Sequence, residues 1–203
     1  MTSSTSTSSS KSKKAIIALS VVCALVVAAL ITVVSVWAAS SQTITSALRV
    51  TYSATNVAAS IEGEYQREGD ATYTSLGTQT FVATDNSTTK AISTTDDISL
   101  TDTKKYVIFR FKFTNNSSTT PFNITLTGTP TTQGAVTVKY ASAAVDNLSV
   151  AGINSNTLPD EITVAGSSTI YVYILIQVTD ITNSASYEAN LNWTLATTTT
   201  PAA

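Results

Sequence analysis

If this chain performs chemistry, its carboxylates must carry it. Thirteen Asp and Glu residues are set among 203, and histidine is absent. That absence removes zinc triads, histidine general bases and Ser/His/Asp nucleophile activation together. Three acidic groupings remain: Glu62 with Glu64, Asp96-Asp97 with Asp102, and Asp160-Glu161. Paired carboxylates can hydrolyse glycosides, and oxygen ligands can hold Ca²⁺. Glu62 and Glu64 stand two apart in an alternating segment, opposite its apolar residues, so they read as a solvated strand face. Asp96-Asp97 and Asp160-Glu161 fall in turn-like sequence, where Asp bonds its own backbone, and their spacing matches no calcium loop. We therefore expect no catalytic residues, no metal and no cofactor.

Tyr171 and Tyr173, with Trp193, would offer sugars an aromatic platform if exposed; the expectation is that they pack a sheet face against loops. A sugar ligand stays open. Asn86, Asn115, Asn116, Asn123, Asn147 and Asn192 all head N-x-S/T sequons. Ser and Thr make up roughly a third of the chain, enough for about half of these to arise by chance.

The segments that must position these residues alternate apolar with polar, the pattern of half-buried strands. In "VAASIEGEYQ" Val57, Ala59, Ile61, Gly63 and Tyr65 share one face. In "KYVIFRFKFTNNSS" the inward set is Val107, Phe109, Phe111 and Phe113, with Arg110 and Lys112 toward water. Phe122, Ile124 and Leu126 continue the pattern, as do Val136, Val138 and Tyr140, and finally Tyr187, Ala189, Leu191, Trp193 and Leu195. "TIYVYILIQV" is apolar on both faces and predicts a central strand covered on both sides. Weaker strands are expected around Leu48 to Tyr52, Thr72 to Val82, Ala91 to Leu100 and Ile162 to Val164. The fold class that follows is all-β: an antiparallel two-sheet β-sandwich, of jelly-roll or Greek-key connection, preceded by one N-terminal apolar helix.

That helix is read from Ala15 to Trp37, an uncharged apolar run long enough for a bilayer core of ~30 Å, which takes about 20 residues. Lys11, Lys13 and Lys14 hold the N-terminal side inside and send the remainder outward. Val36-Trp37-Ala38 and Ala38-Ala39-Ser40 both put small or tolerated residues three and one positions before a signal-peptidase cut, so Ala38 and Ser40 are the candidate cleavage positions. The alternatives are a retained single-pass anchor and a cut beside Lys14-Ala15. The latter would leave the helix as the stem of a type IV-like or archaeal pilin, although the Gly, Pro and Glu features near the start of such stems are missing.

The resulting division is a polar and basic leader (1–14), a signal or transmembrane segment (15–38), a sandwich domain (39–196) and a Thr-rich tail (197–203). Beyond Ala38 eight basic residues face thirteen acidic ones, a formal charge of −5 that argues against nucleic acid as a partner. The only cysteine, Cys23, lies in the apolar run, so the domain contains no disulfide, and the position is too deep in the run for a lipidated cysteine. An exported protein at a cell surface, avoiding thiol oxidation altogether, fits these facts.

Read in order, "YVIFRFKFTNNSSTTPFNITLT", "ITVAGSSTIYVYILIQV" and "YEANLNWTL" resemble the TasA/camelysin group of bacterial surface and biofilm-matrix proteins over roughly residues 100 to 195. Asn115-Asn116-Ser117 stands for that group's first turn, and Ala165-Gly166-Ser167-Ser168 for its second, without the Pro and Glu. The group's metallopeptidase label has no counterpart here, since no HExxH is present. What the resemblance implies is a jelly-roll subunit that polymerises by donating an N-terminal strand to a neighbour's sheet, with Ile44, Leu48, Val50 and Tyr52 setting the register. On that view deleting Gln42 to Tyr52 abolishes fibres and leaves the domain folded. The expected partner is the chain itself, as a homopolymer, or another surface protein, with membrane contact through the N-terminal segment. The rival expectation is a tethered monomeric adhesin or carbohydrate-binding module.

Overall fold

The computed structural model of the chain describes residues 42–54, 56–85, 88–92, 98–127, 130, 132–180 and 186–197. The leader, the apolar segment with Ala38 and Ser40, Asp96-Asp97, Asn86 and the end of the tail lie outside them. Among the described residues no helix is long and apolar enough to cross a membrane.

The alternating segments form strands: β1 (Gln42–Tyr52), β2 (Ala59–Arg67), β3 (Thr74–Phe81), β4 (Thr88–Ile92), β5 (Ile98–Leu100), β6 (Tyr106–Asn115), β7 (Phe122–Thr127), β8 (Val136–Ala143), β9 (Ile162–Val164), β10 (Thr169–Val178) and β11 (Ser186–Thr197). The first sheet runs β4-β1-β11-β7-β9, with β5 also beside β1, and the second runs β3-β2-β6-β10-β8. Side chains on a strand alternate between faces, so each sheet turns one apolar face toward the other. Val107, Phe109, Phe111 and Phe113 of β6 are fully buried there, as are Leu191, Trp193 and Leu195 of β11 across the core.

Trp193 sits at the centre, its ring 5.2 Å from Phe111 and 5.0 Å from Phe113, the latter nearly edge-on. Its indole N–H has no hydrogen-bonding oxygen or nitrogen among the described residues.

β10 has neighbours on both sides and is apolar on both faces, as its sequence predicts. Val172, Ile174, Ile176 and Val178 join the main core. Tyr173 and Leu175 point the other way and pack with Ile108 and Ile153 in a second, smaller cluster, to which Leu148 and Val150 of the β8–β9 connection add cover. The same pattern explains Ile108, which faces outward from β6 and is nevertheless buried.

One ladder departs from the antiparallel expectation: β1 and β11 run parallel from Thr43↔Ser186 to Tyr52↔Leu195. A hairpin can join only antiparallel neighbours, and the alternating pattern of each strand is the same in either direction. These two strands are the first and last among the described residues, so no short connection fixes their relative sense. β1 is also longer than the expected Leu48 to Tyr52, because Gln42 to Ile44 pair with β5 and its first half pairs with β11.

Replacement of Trp193 should separate volume from polarity. Trp193→Ala should destabilise by about 3–5 kcal/mol through the cavity it leaves. Trp193→Phe removes the unpaired N–H with part of the ring and should cost less than half as much. Urea midpoints of the two variants check this.

Candidate functional site

β1 carries the residues whose placement matters most for assembly. Ile44, Val50 and Tyr52 are fully buried and Leu48 nearly so. All four face the core of their own domain, paired in register with Tyr187, Trp193, Leu195 and Leu191 of β11 respectively. On the opposite face Thr45 and Arg49 are exposed. Tyr52 anchors the end of the strand: its ring stacks on Phe81 at 4.6 Å, and its hydroxyl donates to the Val57 carbonyl oxygen. Burial pushes the Tyr52 phenol above its ordinary range, with Asp85 adding to the effect and the Val57 bond opposing it. The short connection 53–58 then crosses to β2 in the other sheet.

The two turns that carry the family resemblance meet in space. Asn115 is buried, and its amide nitrogen donates to the Thr120 oxygen at 2.9 Å and to the Val164 oxygen at 3.1 Å. Its side-chain oxygen accepts from the Ser117 N–H at 2.9 Å. The backbone closes the same contact, with Asn115 N–H donating to Ser168 O and Ser167 N–H to Ser117 O. Gly166 is required here by space: a Cβ would lie 2.6 Å from the Ser118 carbonyl oxygen. A residue that satisfies three backbone groups at once has an obvious structural use, so Asn115 is no candidate for glycosylation in the folded domain. Asn123 is also buried, with Thr163 donating to its side-chain oxygen at 2.8 Å. Asn116 and Asn147 are exposed.

The outer face of the second sheet gathers the paired carboxylates and two of the aromatics. Register places Glu62 opposite Lys112 and Glu64 opposite Arg110. Lys112 donates to Glu62 at 3.0 Å, a bond that raises the lysine's pKa against the opposing effect of burial. Arg110 is forked onto Glu64, donates to the Asp146 carbonyl, and lies 3.9 Å above the Tyr73 ring and 6.0 Å from that of Tyr171. Burial disfavours its charge, but Glu64 and the neighbouring tyrosines outweigh this and its pKa is raised. Tyr173 is buried beneath, donating to Val145 O at 2.7 Å, and Trp193 lies in the main core. Tyr171 and Tyr173 therefore share the outer face, with ring centroids 6.4 Å apart, while Trp193 is in the main core, so no shared platform joins it to the tyrosines. Each of these two glutamates is held by a cation, which suits a clasp over the β8–β9 connection better than acid/base work.

The remaining carboxylates do not converge. Asp102 is exposed in the turn between β5 and β6, and Asp160 and Glu161 are exposed just before β9. Among the described residues no three Asp, Glu or Cys side chains stand close enough to hold a metal ion. Asp160 does border a cleft of about 560 Å³ where β7 and β8 face each other across the sheets, lined also by Thr125, Leu126, Val138, Tyr140 and Asn156. The Tyr140 hydroxyl donates to the Pro130 carbonyl oxygen, and burial pushes its pKa up to about 12. Nothing in the spacing of β7 and β8 announces this cleft, because it depends on how strands of the two sheets come to face each other.

Two measurements test the geometry. Asn115→Ala and Gly166→Ala should each lower unfolding free energy by about 2–3 kcal/mol, the first by stranding buried backbone groups and the second by steric conflict. Tyr140 and Tyr173 are both raised to about 12 by burial. The unfolded chain therefore releases phenolic protons near pH 10 that the folded chain keeps, so their contribution is full below pH 10 and is lost as pH rises through 12, roughly 2–3 kcal/mol for each. Urea midpoints should fall across that window, and less steeply in Tyr173→Phe. No protein-family model matches the chain, and no curated protein does, so the reading of these sites rests on their own residues.

Proposed function

We propose that this chain is an exported, non-enzymatic structural protein of a cell surface or extracellular matrix, a jelly-roll or Greek-key sandwich that self-associates by exchanging β1 between copies. The observation that carries the reading is the position of β1. It is the first strand among the described residues, it fills the interior of a sheet, and its partners β11, β4 and β5 are all distant in sequence. Only residues 53–58 tie it to the body that follows. A β1 from a second copy would meet the same ladder and bury the same Ile44, Leu48, Val50 and Tyr52, so exchange costs no contacts. The resemblance to the TasA/camelysin group agrees with this, and a basic flank followed by an apolar segment supplies the export route.

Deletion of Gln42–Tyr52 is a poor test, contrary to the simplest expectation, because it removes four buried side chains from the core. A better one leaves the strand intact. Arg49 and Asn192 are directly paired across β1 and β11. Neighbouring strands lie ~4.8 Å apart, within disulfide reach. In a Cys23→Ser background, Arg49→Cys with Asn192→Cys should yield a covalent ladder on non-reducing gels, lengthening with protein concentration. Closed monomers at every concentration would instead favour the tethered adhesin, in which β1 stays in its own sheet.

A further inference from the structure

We propose that the cleft between β7 and β8 binds a neutral saccharide, a function separate from strand exchange. The cleft holds about 560 Å³, within the range of small-ligand sites. Leu126 of β7, Val138 of the facing β8 and Leu158 give the cleft an apolar lining. Such a lining suits the C–H faces of a sugar ring. The polar groups are the hydroxyls of Thr125, Thr132 and Thr157, the Asn156 amide and the Asp160 carboxylate. These are neutral donors and acceptors with a single acid, the set that exchanges hydrogen bonds with vicinal hydroxyls.

Their existing bonds orient them. The Thr132 oxygen accepts from Val138 N–H at 3.2 Å, which leaves its own proton to donate. The Asn156 side-chain oxygen accepts from Lys139, so its amide N–H groups are the donors it has to offer. Tyr140 has committed its hydroxyl to Pro130 and contributes shape alone. Among the described residues that line the cleft the one charged side chain is Asp160, with Lys139 reaching the rim only through Asn156, so an anionic polysaccharide would meet a carboxylate inside.

An extended peptide is the rival occupant, since β9 pairs only with Phe122, Asn123 and Ile124 and β7 continues past its end to Thr127. Hydroxyl, amide and carboxylate groups among apolar side chains match a polyol better than the alternating side-chain pockets that a strand needs.

The test uses the full chain in a detergent without a sugar headgroup and follows ligand signals by saturation-transfer NMR. The probes are cellotetraose, chitotetraose and maltotetraose, with tetragalacturonate and a blocked Thr-Val hexapeptide as contrasts. At least one neutral tetrasaccharide should bind with a Kd of 5 mM or tighter. Asp160→Ala with Asn156→Ala should weaken it at least tenfold, at an unchanged melting temperature because both side chains are exposed. Asp102→Ala, in the exposed turn between β5 and β6, should leave it within twofold. Absence of neutral-sugar binding at 10 mM, equal binding in the double variant, or preference for the acidic sugar or the peptide would each overturn the proposal. Since β1 takes no part, the cysteine ladder can succeed or fail independently.

Discussion

The parallel ladder between β1 and β11 is the constraint on which the domain depends. It joins the first strand to the last, so the first sheet has a complete interior only after the rest of the chain has been threaded between them. Removing β1 would leave β11 with a bare edge and expose the Trp193 side of the core. The ladder is nonlocal, and its closure entropy must be met before its contacts repay it. A strand held by backbone pairing to distant segments is the kind that the proposed exchange would pass between copies.

Packing across the core converts that ladder into a single structure. Trp193 stands on β11 of the first sheet, and the Phe111 and Phe113 rings that enclose it stand on β6 of the second. Val50, paired with Trp193 in register, ties β1 to the same centre. On the far side of the second sheet, the Tyr173 cluster and the Arg110–Glu64 clasp hold down the β8–β9 connection. Ion pairs half open to solvent add little stability by themselves. Here their value is directional, since the guanidinium also reaches the Asp146 carbonyl and covers the Tyr73 ring.

Alternation makes the inward faces legible in the amino-acid sequence itself. Phe109, Phe111 and Phe113 have to share a face, and β10 cannot be an edge because both of its faces are apolar. What the pattern does not encode is partnership. Glu64 and Arg110 each read as solvated strand residues, and only the antiparallel register of β2 and β6 sets them opposite one another. Asn115 reads as one turn residue among several sequons, whereas its amide bridges to Val164 in a different sheet. The sense of β1 against β11 is equally hidden, since a strand of period two reads the same forward and backward. The cleft at Asp160 needs all of this at once, because its walls come from β7 and β8, which belong to two separate sheets.

The free edges of both sheets also bear on how copies can associate. β3 is uncharged, but its ladder with β2 slips at Gly63/Glu64 and Gly77 adopts φ +127, which distorts the edge. On β4 itself the Lys90 amine donates to the Thr80 carbonyl oxygen at 2.5 Å and places a charge at that edge. β8 is bridged at Tyr140 by Ser155, and β9 is only three residues long. Each of these devices discourages strand addition at an edge. Association by edge stacking would have to undo them one by one. Substitution of β1 leaves them all in place and asks only that one copy's ladder be completed by another's, which is why the proposed assembly runs through the interior of a sheet.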